Sequence, residues 1–351
     1  MSAKKKKRKK QKVSSSNRES QLTKTPSSGL SKRISILCLP GFESFLDNII
    51  SYLGTKYDVR MCYSSDKSEI VAAIRWAEVL WLEWCNELTM YVTTQQGTAL
   101  QGKKVICRLH SYEALSGYVT QIDWRRIDDL VFVAEHVRDI VLQQLAGIGI
   151  HVLRFGIHVI PNGIDLSKCE LRDRPRGKNV AFVANISHKK GPMLLVHAFH
   201  ELVRHDPDYR LFVAGRIQDP RYDYYLKHII EELDLEHHVR FDGYVEDVNA
   251  WLGDKHYIVC TSPWEGHPVG IMEAMECGIK PVIHNFVGAN RIYPRKYIWN
   301  TIPEFIRMVT GDDYSPMEYR NTIEKQYSLG DQLERIESVI SGMPITSTPR
   351  N

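Results

Sequence analysis

The chain has no run of about 18 consecutive apolar residues, so no membrane-spanning helix is expected. No apolar stretch follows its N-terminal charges, so those charges do not read as a secretory signal. Seven cysteines (38, 62, 85, 107, 169, 260 and 277) form no Cys-x-x-Cys pair and no zinc-like spacing. Their odd number, with Cys38, Cys107 and Cys260 inside apolar runs, predicts reduced, inert thiols and a cytoplasmic protein. No Asp-x-Asp pair stands at a strand end, and His237-His238 is isolated, so no metal is expected. No internal repeat is visible. With 43% apolar and 25% charged residues, the composition is that of an ordinary globular protein, and the length suits two domains.

The body also lacks a basic excess. Eight of the 46 Lys and Arg residues lie within residues 1–12, from Lys4 to Lys12; the remaining 38 face 42 Asp and Glu, a balance of −4. A mildly acidic body argues against a nucleic-acid partner. Residues 1–31 are rich in Lys, Ser, Thr and Gln and have little to bury, which predicts a disordered tail. Such a tail has three readings: a solvated segment, a nuclear address in a nucleated host, or a peripheral contact with an anionic inner membrane face. The last is worth about 1 kcal/mol per basic residue near the surface.

From Ile34 onward, short apolar runs alternate with amphipathic stretches. Strands are expected at Ile34–Leu39, Tyr57–Tyr63, Val79–Glu83, Lys104–Leu109, Leu130–Val133, Val152–Phe155 and Val159–Ile160. Helices are expected at Phe42–Tyr52, Ile70–Trp76 and His136–Leu145. The alternation restarts with strands Asn179–Ala184, Arg210–Gly215, Val239–Asp242, Tyr257–Ser262 and Lys280–Ile283. Helices Pro192–His205, Tyr222–Leu233, Val248–Trp251 and Val269–Cys277 separate them, and Pro316–Gln326 and Leu333–Ser341 follow. This order predicts an α/β protein of two doubly wound parallel sheets, each Rossmann-like, with ligands in a cleft between the C-terminal strand ends.

The densest chemistry lies in Ser262-Pro263-Trp264-Glu265-Gly266-His267-Pro268-Val269-Gly270-Ile271-Met272-Glu273-Ala274-Met275. Two carboxylates, Glu265 and Glu273, flank a loop that breaks into a helix. A helix N-terminus offers unpaired N–H groups and a favourable dipole to an anion. Carboxylates on either side suit sugar hydroxyls. The segment therefore reads as a site for a phosphorylated sugar or a nucleotide sugar.

That segment resembles the Glu-x7-Glu signature of retaining GT-B glycosyltransferases of the family four type, with His267 in place of an aromatic residue. Ile160-Pro161-Asn162-Gly163-Ile164-Asp165, Phe182 to Gly191 and Leu211 to Gly215 resemble three further segments of the same family, in order. The resemblance implies the GT-B fold: an acceptor domain at 32–160, a nucleotide-sugar domain at 161–315, and helices over 316–351 returning to the first domain. It implies transfer of a sugar from a nucleotide-diphosphate sugar to a glycan, lipid or protein acceptor, with no cofactor beyond that substrate. By the same resemblance Glu273 binds the donor ribose, and Glu265 binds its sugar. Lys190 binds the departing phosphate, and Gly266, Val269 and Gly270 line the diphosphate. His110 approaches the sugar from the first domain, and Gly41 follows the first strand as the family's glycine loop does. Asn185 stands where the family carries a phosphate-binding arginine, and Arg216 is a candidate substitute. Glu83 and Asn86 fall on the acceptor side. Two other readings compete: a binding protein whose catalytic site has decayed, against which Glu265, Glu273 and Lys190 are all retained, and a sugar epimerase on the same architecture, against which the Glu-x7-Glu segment argues.

Overall fold

Parallel strands covered on both faces need apolar side chains on both, and the central strands have them. In the computed structural model, which describes residues 31–150, 156–169, 171 and 174–344, every residue of Val79–Glu83 and of Tyr257–Cys260 is buried. The first sheet contains β1 (Arg33–Cys38), β2 (Asp58–Tyr63), β3 (Val79–Glu83), β4 (Lys104–Leu109), β5 (Asp129–Phe132) and β6 (Gly156–Val159). The second contains β7 (Asn179–Val183), β8 (Arg210–Ala214), β9 (Val239–Gly243), β10 (Tyr257–Cys260), β11 (Lys280–His284) and β12 (Ile298–Trp299). Their orders are β2-β1-β3-β4-β5-β6 and β12-β11-β10-β7-β8-β9, and every pairing is parallel. Strand order reverses direction at β1/β3 in the first sheet and at β7/β10 in the second. Ligands of doubly wound sheets bind outside the carboxyl ends of the strands at such points.

Lys32–Asn351 forms one unit in which the chain passes between the lobes twice. The two passages pair with each other: Ile164 N donates to Tyr327 O at 2.7 Å, and Leu329 N to Ile164 O at 3.0 Å. Gly163 is required at this crossing, because a Cβ there would lie 2.5 Å from the Leu329 Cα. Helix Leu329–Ser341 then buries Ile336, Val339 and Ile340 against Ile34, Ile36 and Trp81 of the first lobe. Each such side chain contributes roughly 1.5–3 kcal/mol.

The structure corrects several expectations. Helix Pro316–Gln326 does not return to the first lobe; its Tyr319 and Ile323 pack in the second, with Met272 and Met275. Phe42–Tyr52 is a short turn of 3₁₀ helix, Glu43–Phe45, followed by helix Asp47–Gly54. Helices Glu87–Gln95 and Ile302–Thr310 were not anticipated. The expected strand Val152–Phe155 and nearly all of the tail lie outside the described residues.

The cysteines also depart from expectation. Cys169 and Cys277, 108 residues apart, form a disulfide, and Cys38, Cys62, Cys85, Cys107 and Cys260 remain free and buried. Cysteine usage therefore no longer argues for a reducing compartment. Thiol titration of the denatured, unreduced protein is expected to find those five free thiols; a count equal to all seven cysteines would contradict the bridge. No helix of the described residues is long and apolar enough to cross a membrane.

Candidate functional site

The second sheet's reversal point brings the loops after β7 and β10 together. The β7 loop turns through His188–Lys190 and closes on Gly191 at φ +60°. A Cβ on Gly191 would lie 2.2 Å from Thr261 O, so only glycine lets the two loops touch there. Thr261 Oγ1 donates to Lys190 O at 2.8 Å. This fixes Lys190 beside the β10 loop, where its ammonium pairs with the Glu265 carboxylate. Ser262 Oγ donates to the same carboxylate at 2.7 Å.

Glu265 leads through Gly266, His267 and Pro268 into helix Val269–Glu276. Pro268 fixes the backbone at φ −77° before the first turn, and no side chain caps that end. The first-turn N–H groups have no intrahelical acceptor, so Val269 and Gly270 present donors and the positive end of the helix dipole. They line a cavity of about 240 Å³ with Lys190, Glu265 and the ends of β7 and β10.

A second cavity of about 310 Å³ adjoins the first, since Phe45 and Val269 line both. Glu273 opens into it together with Lys168 and the hinge residues Asn162 and Asp165. Burial raises the Glu273 pKa, and Lys168 opposes the shift. Among the described residues no side chain or N–H group hydrogen-bonds the Glu273 carboxylate. Glu265 and Lys190 thus share one cavity, and Glu273 stands one helical turn away in the next.

The β10 loop also rests on the first lobe. Trp264 Nε1 donates to Ser111 O at 3.1 Å, and His136 Nε2 lies 2.7 Å from Glu265 O. Because a carbonyl only accepts, this nitrogen carries the proton; burial lowers the His136 pKa and favours the neutral ring. Gly266 lies so close to Ser111 that a Cβ would come within 2.9 Å of the serine Cβ. An Arg291–Asp139 ion pair adds a further contact between the lobes. In the sequence His136 marks only the start of a helix, and nothing local signals its contact with the β10 loop.

Other expected site residues lie elsewhere. His110 is buried, with Nε2 2.8 Å from Glu83 Oε1 and its ring stacked 3.8 Å from that of Trp84. It lines neither cavity; Phe45, whose ring is 5.1 Å away, lines both. Glu83 does not face an acceptor: it is fully buried and receives Arg108 Nη1 at 3.2 Å and Trp81 Nε1 at 2.7 Å. Burial pushes its pKa up, but Arg108, His110 and Trp81 together hold it below the usual carboxylate value. Arg108 Nη2 continues the network to Asn162 Oδ1 at 2.5 Å, on the hinge. Asn86 is also fully buried and caps helix Glu87–Gln95 through Leu88 N at 3.0 Å, so it too is withdrawn from any acceptor surface.

Gly41, at φ +89°, donates its N–H to Glu43 Oε2 at 2.6 Å and lines neither cavity. Asn185 Oδ1 accepts from Arg216 N at 3.2 Å. The Arg216 guanidinium lies 4.6 Å over the Tyr244 ring, outside both cavities, and so does not replace a phosphate-binding arginine in this conformation.

Residues 168–298 match the family model described as "Glycosyl transferases group 1". GDP-mannose:cellobiosyl-diphosphopolyprenol alpha-mannosyltransferase of Xanthomonas oryzae pv. oryzae (strain PXO99A) is 24% identical over 183 residues, covering 51% of this chain and 43% of that protein. UDP-Gal:alpha-D-GlcNAc-diphosphoundecaprenol alpha-1,3-galactosyltransferase of Escherichia coli is 24% identical over 217 residues, covering 54% and 55%. The chain thus spans about half the length of these curated relatives. Among solved structures, Anabaena Alr3699/HepE in complex with UDP and glucose superposes with a TM-score of 0.72 at 14% identity, over 89% of this chain and 100% of that one. Pneumococcal O-GlcNAc transferase GtfA in complex with UDP and GlcNAc gives 0.63 at 14% identity, over 80% and 60%. The two Rossmann-like lobes form the GT-B fold.

Proposed function

We propose that this chain transfers a sugar from a nucleoside-diphosphate sugar to an acceptor, retaining configuration at the anomeric carbon. One observation carries the reading: an ammonium and a helix N-terminus without a side-chain cap share a cavity at a sheet reversal point, with the Glu273 carboxylate one turn along the helix in the adjoining cavity. The diphosphate would take up the Val269 and Gly270 N–H groups and Lys190. Glu273 would accept the ribose hydroxyls, and Glu265 the hydroxyls of the sugar. As the sugar–phosphate bond breaks, negative charge grows on the departing phosphate, and the lysine and helix end stabilise it. The same phosphate oxygen takes the acceptor's proton on the face from which it leaves, which gives retention. Lys190 and the helix end supply the charge that a metal would otherwise provide, so metal independence is part of the proposal.

The names of two relatives specify diphosphopolyprenol-linked acceptors, which favours a lipid-linked glycan within the acceptor class. The basic tail suits the anionic inner membrane face on which such an acceptor would lie. A binding role with a decayed site is the second reading, favoured by Asn185, which brings no positive charge.

Thermal shift of the purified chain against UDP-, GDP- and ADP-sugars tests donor binding. One of them, at 100 times its Kd, is expected to stabilise by about 2.7 kcal/mol. Absence of any shift at millimolar donor contradicts the proposal; a shift without donor hydrolysis or transfer favours the binding role. Glu273→Ala is expected to raise the donor KM roughly 10- to 100-fold with kcat changed less than about threefold, since it removes hydrogen bonds from a charged acceptor to a group that does not react. A KM within about twofold of the wild type would remove Glu273 from the donor site.

A further inference from the structure

The loop that carries Glu265 is held from across the lobe boundary. Between β10 and helix Val269–Glu276 it contains no helix or strand of its own. Three successive residues of it touch the first lobe. Trp264 packs against the first lobe's core and donates to Ser111 O, and Gly266 abuts Ser111. Between them, the Glu265 carbonyl accepts from His136 Nε2 at 2.7 Å.

His136 reaches that carbonyl by entering a slot in the second lobe. Its ring stands edge-on to Trp264, with 5.3 Å between centroids, and 6.4 Å from the ring of Phe286. Gly288 closes the slot: a Cβ there would fall 2.2 Å from the imidazole Cγ and 2.3 Å from Nδ1, and its φ of +92° also favours glycine. Nδ1 is buried with no hydrogen-bond partner, so among the described residues the bond to Glu265 is the ring's one hydrogen bond. An apolar side chain would fill the slot without burying an unsatisfied nitrogen; what the imidazole adds is the Nε2–H. The Glu265 carboxylate pairs with Lys190 and accepts from Ser262. A shift of the Glu265 backbone therefore carries the carboxylate away from Lys190 and from the donor's sugar. Val269, Gly270 and Glu273 stand instead on a helix seated in the second lobe's own core.

We propose that His136 is a positioning residue for the transfer: its Nε2–H pins the Glu265 carbonyl, so that the Glu265–Lys190 pair is set for reaction while the first lobe is engaged with the second. The inference rests on the transfer reading above and adds a residue to it. The residues placed on the diphosphate and ribose do not depend on the pin, so its loss reaches the reaction and spares nucleotide binding.

The test compares His136→Ala, His136→Gln, Gly288→Ala and the His136→Ala/Gly288→Ala double variant in the full chain. Donor hydrolysis or transfer is assayed with the nucleotide sugar that stabilises the wild type most, and the Kd for its nucleoside diphosphate is measured on the same samples. His136→Ala is expected to lower kcat roughly 10- to 100-fold and to change that Kd less than about threefold. His136→Gln carries an amide N–H at about the reach of Nε2 and is expected to recover kcat to within about threefold of the wild type. Gly288→Ala fills the slot from the other lobe and is expected to lower kcat by a similar factor. In the His136→Ala background it is expected to cost little more, because both changes remove the same contact. Backbone strain at position 288 is present in both backgrounds and cancels from the comparison. A His136→Ala kcat within about threefold of the wild type, a Gln variant as impaired as the Ala variant, or losses that multiply in the double variant overturn the proposal and leave the transfer reading standing. So does a nucleoside diphosphate Kd that rises as far as kcat falls, which would make His136 a general prop of the fold. A wild-type chain that neither hydrolyses nor transfers any donor overturns the transfer reading, and this inference with it.

Discussion

Lys190→Ala is expected to lower turnover by about 10³-fold with the fold intact. An ammonium about 4 Å from the departing phosphate contributes roughly 4 kcal/mol at an effective dielectric near 20. The end of a helix supplies at most about 2 kcal/mol. The lysine is therefore the larger of the two sources of leaving-group stabilisation, and 4 kcal/mol corresponds to about three decades in rate. The variant carries a second penalty. In the wild type Lys190 neutralises Glu265, whose side chain is only 12% exposed. Without the ammonium, that carboxylate meets an incoming diphosphate as an uncompensated like charge. The loss should therefore divide between kcat and KM. Single-turnover kinetics at saturating donor separate the two, and near-wild-type turnover would remove Lys190 from the chemistry.

Glu83→Ala is expected to damage the fold more than the chemistry. Glu83 and Arg108 are both 0% exposed, and the glutamate also receives His110 and Trp81. Removing one partner of such a pair strands the other charge in the interior, at a cost of about 3–5 kcal/mol. Arg108 reaches Asn162 on the hinge, so the damage should extend to the seam between the lobes. A fall in Tm of at least about 5 °C is the expected result. A variant as stable as the wild type would mean that the network is not formed in solution. Loss of activity without loss of stability would return Glu83 to the acceptor side, where the sequence first suggested it.

Much of the architecture is legible because parallel sheets print themselves as apolar runs. Ile34–Cys38, Val79–Leu82 and Tyr257–Cys260 are readable for that reason. Helix Glu87–Gln95 is hard to read because its inner face mixes the core residues Leu88 and Val92 with Thr89 and Thr93, whose hydroxyls are buried through bonds to backbone carbonyls. Lys190 and Glu265 are legible as residues, since the glycines beside them mark tight loops. Their ion pair is not, because 75 positions separate them and the sheet reversal alone brings them together. The same limit hid the Cys169–Cys277 bridge. His110 and Glu83 show the opposite failure. A polar residue at a strand end reads as cleft-facing, and only the fold reveals that Phe45 and Trp84 close over the histidine.

A structure of the full chain soaked with a nucleoside diphosphate bears most directly on the two-cavity donor site. The expected density puts the terminal phosphate within hydrogen-bond distance of the Gly270 N–H and Lys190 Nζ, with the ribose hydroxyls on Glu273. A nucleotide bound elsewhere, or these cavities empty at saturating nucleotide, would contradict the account.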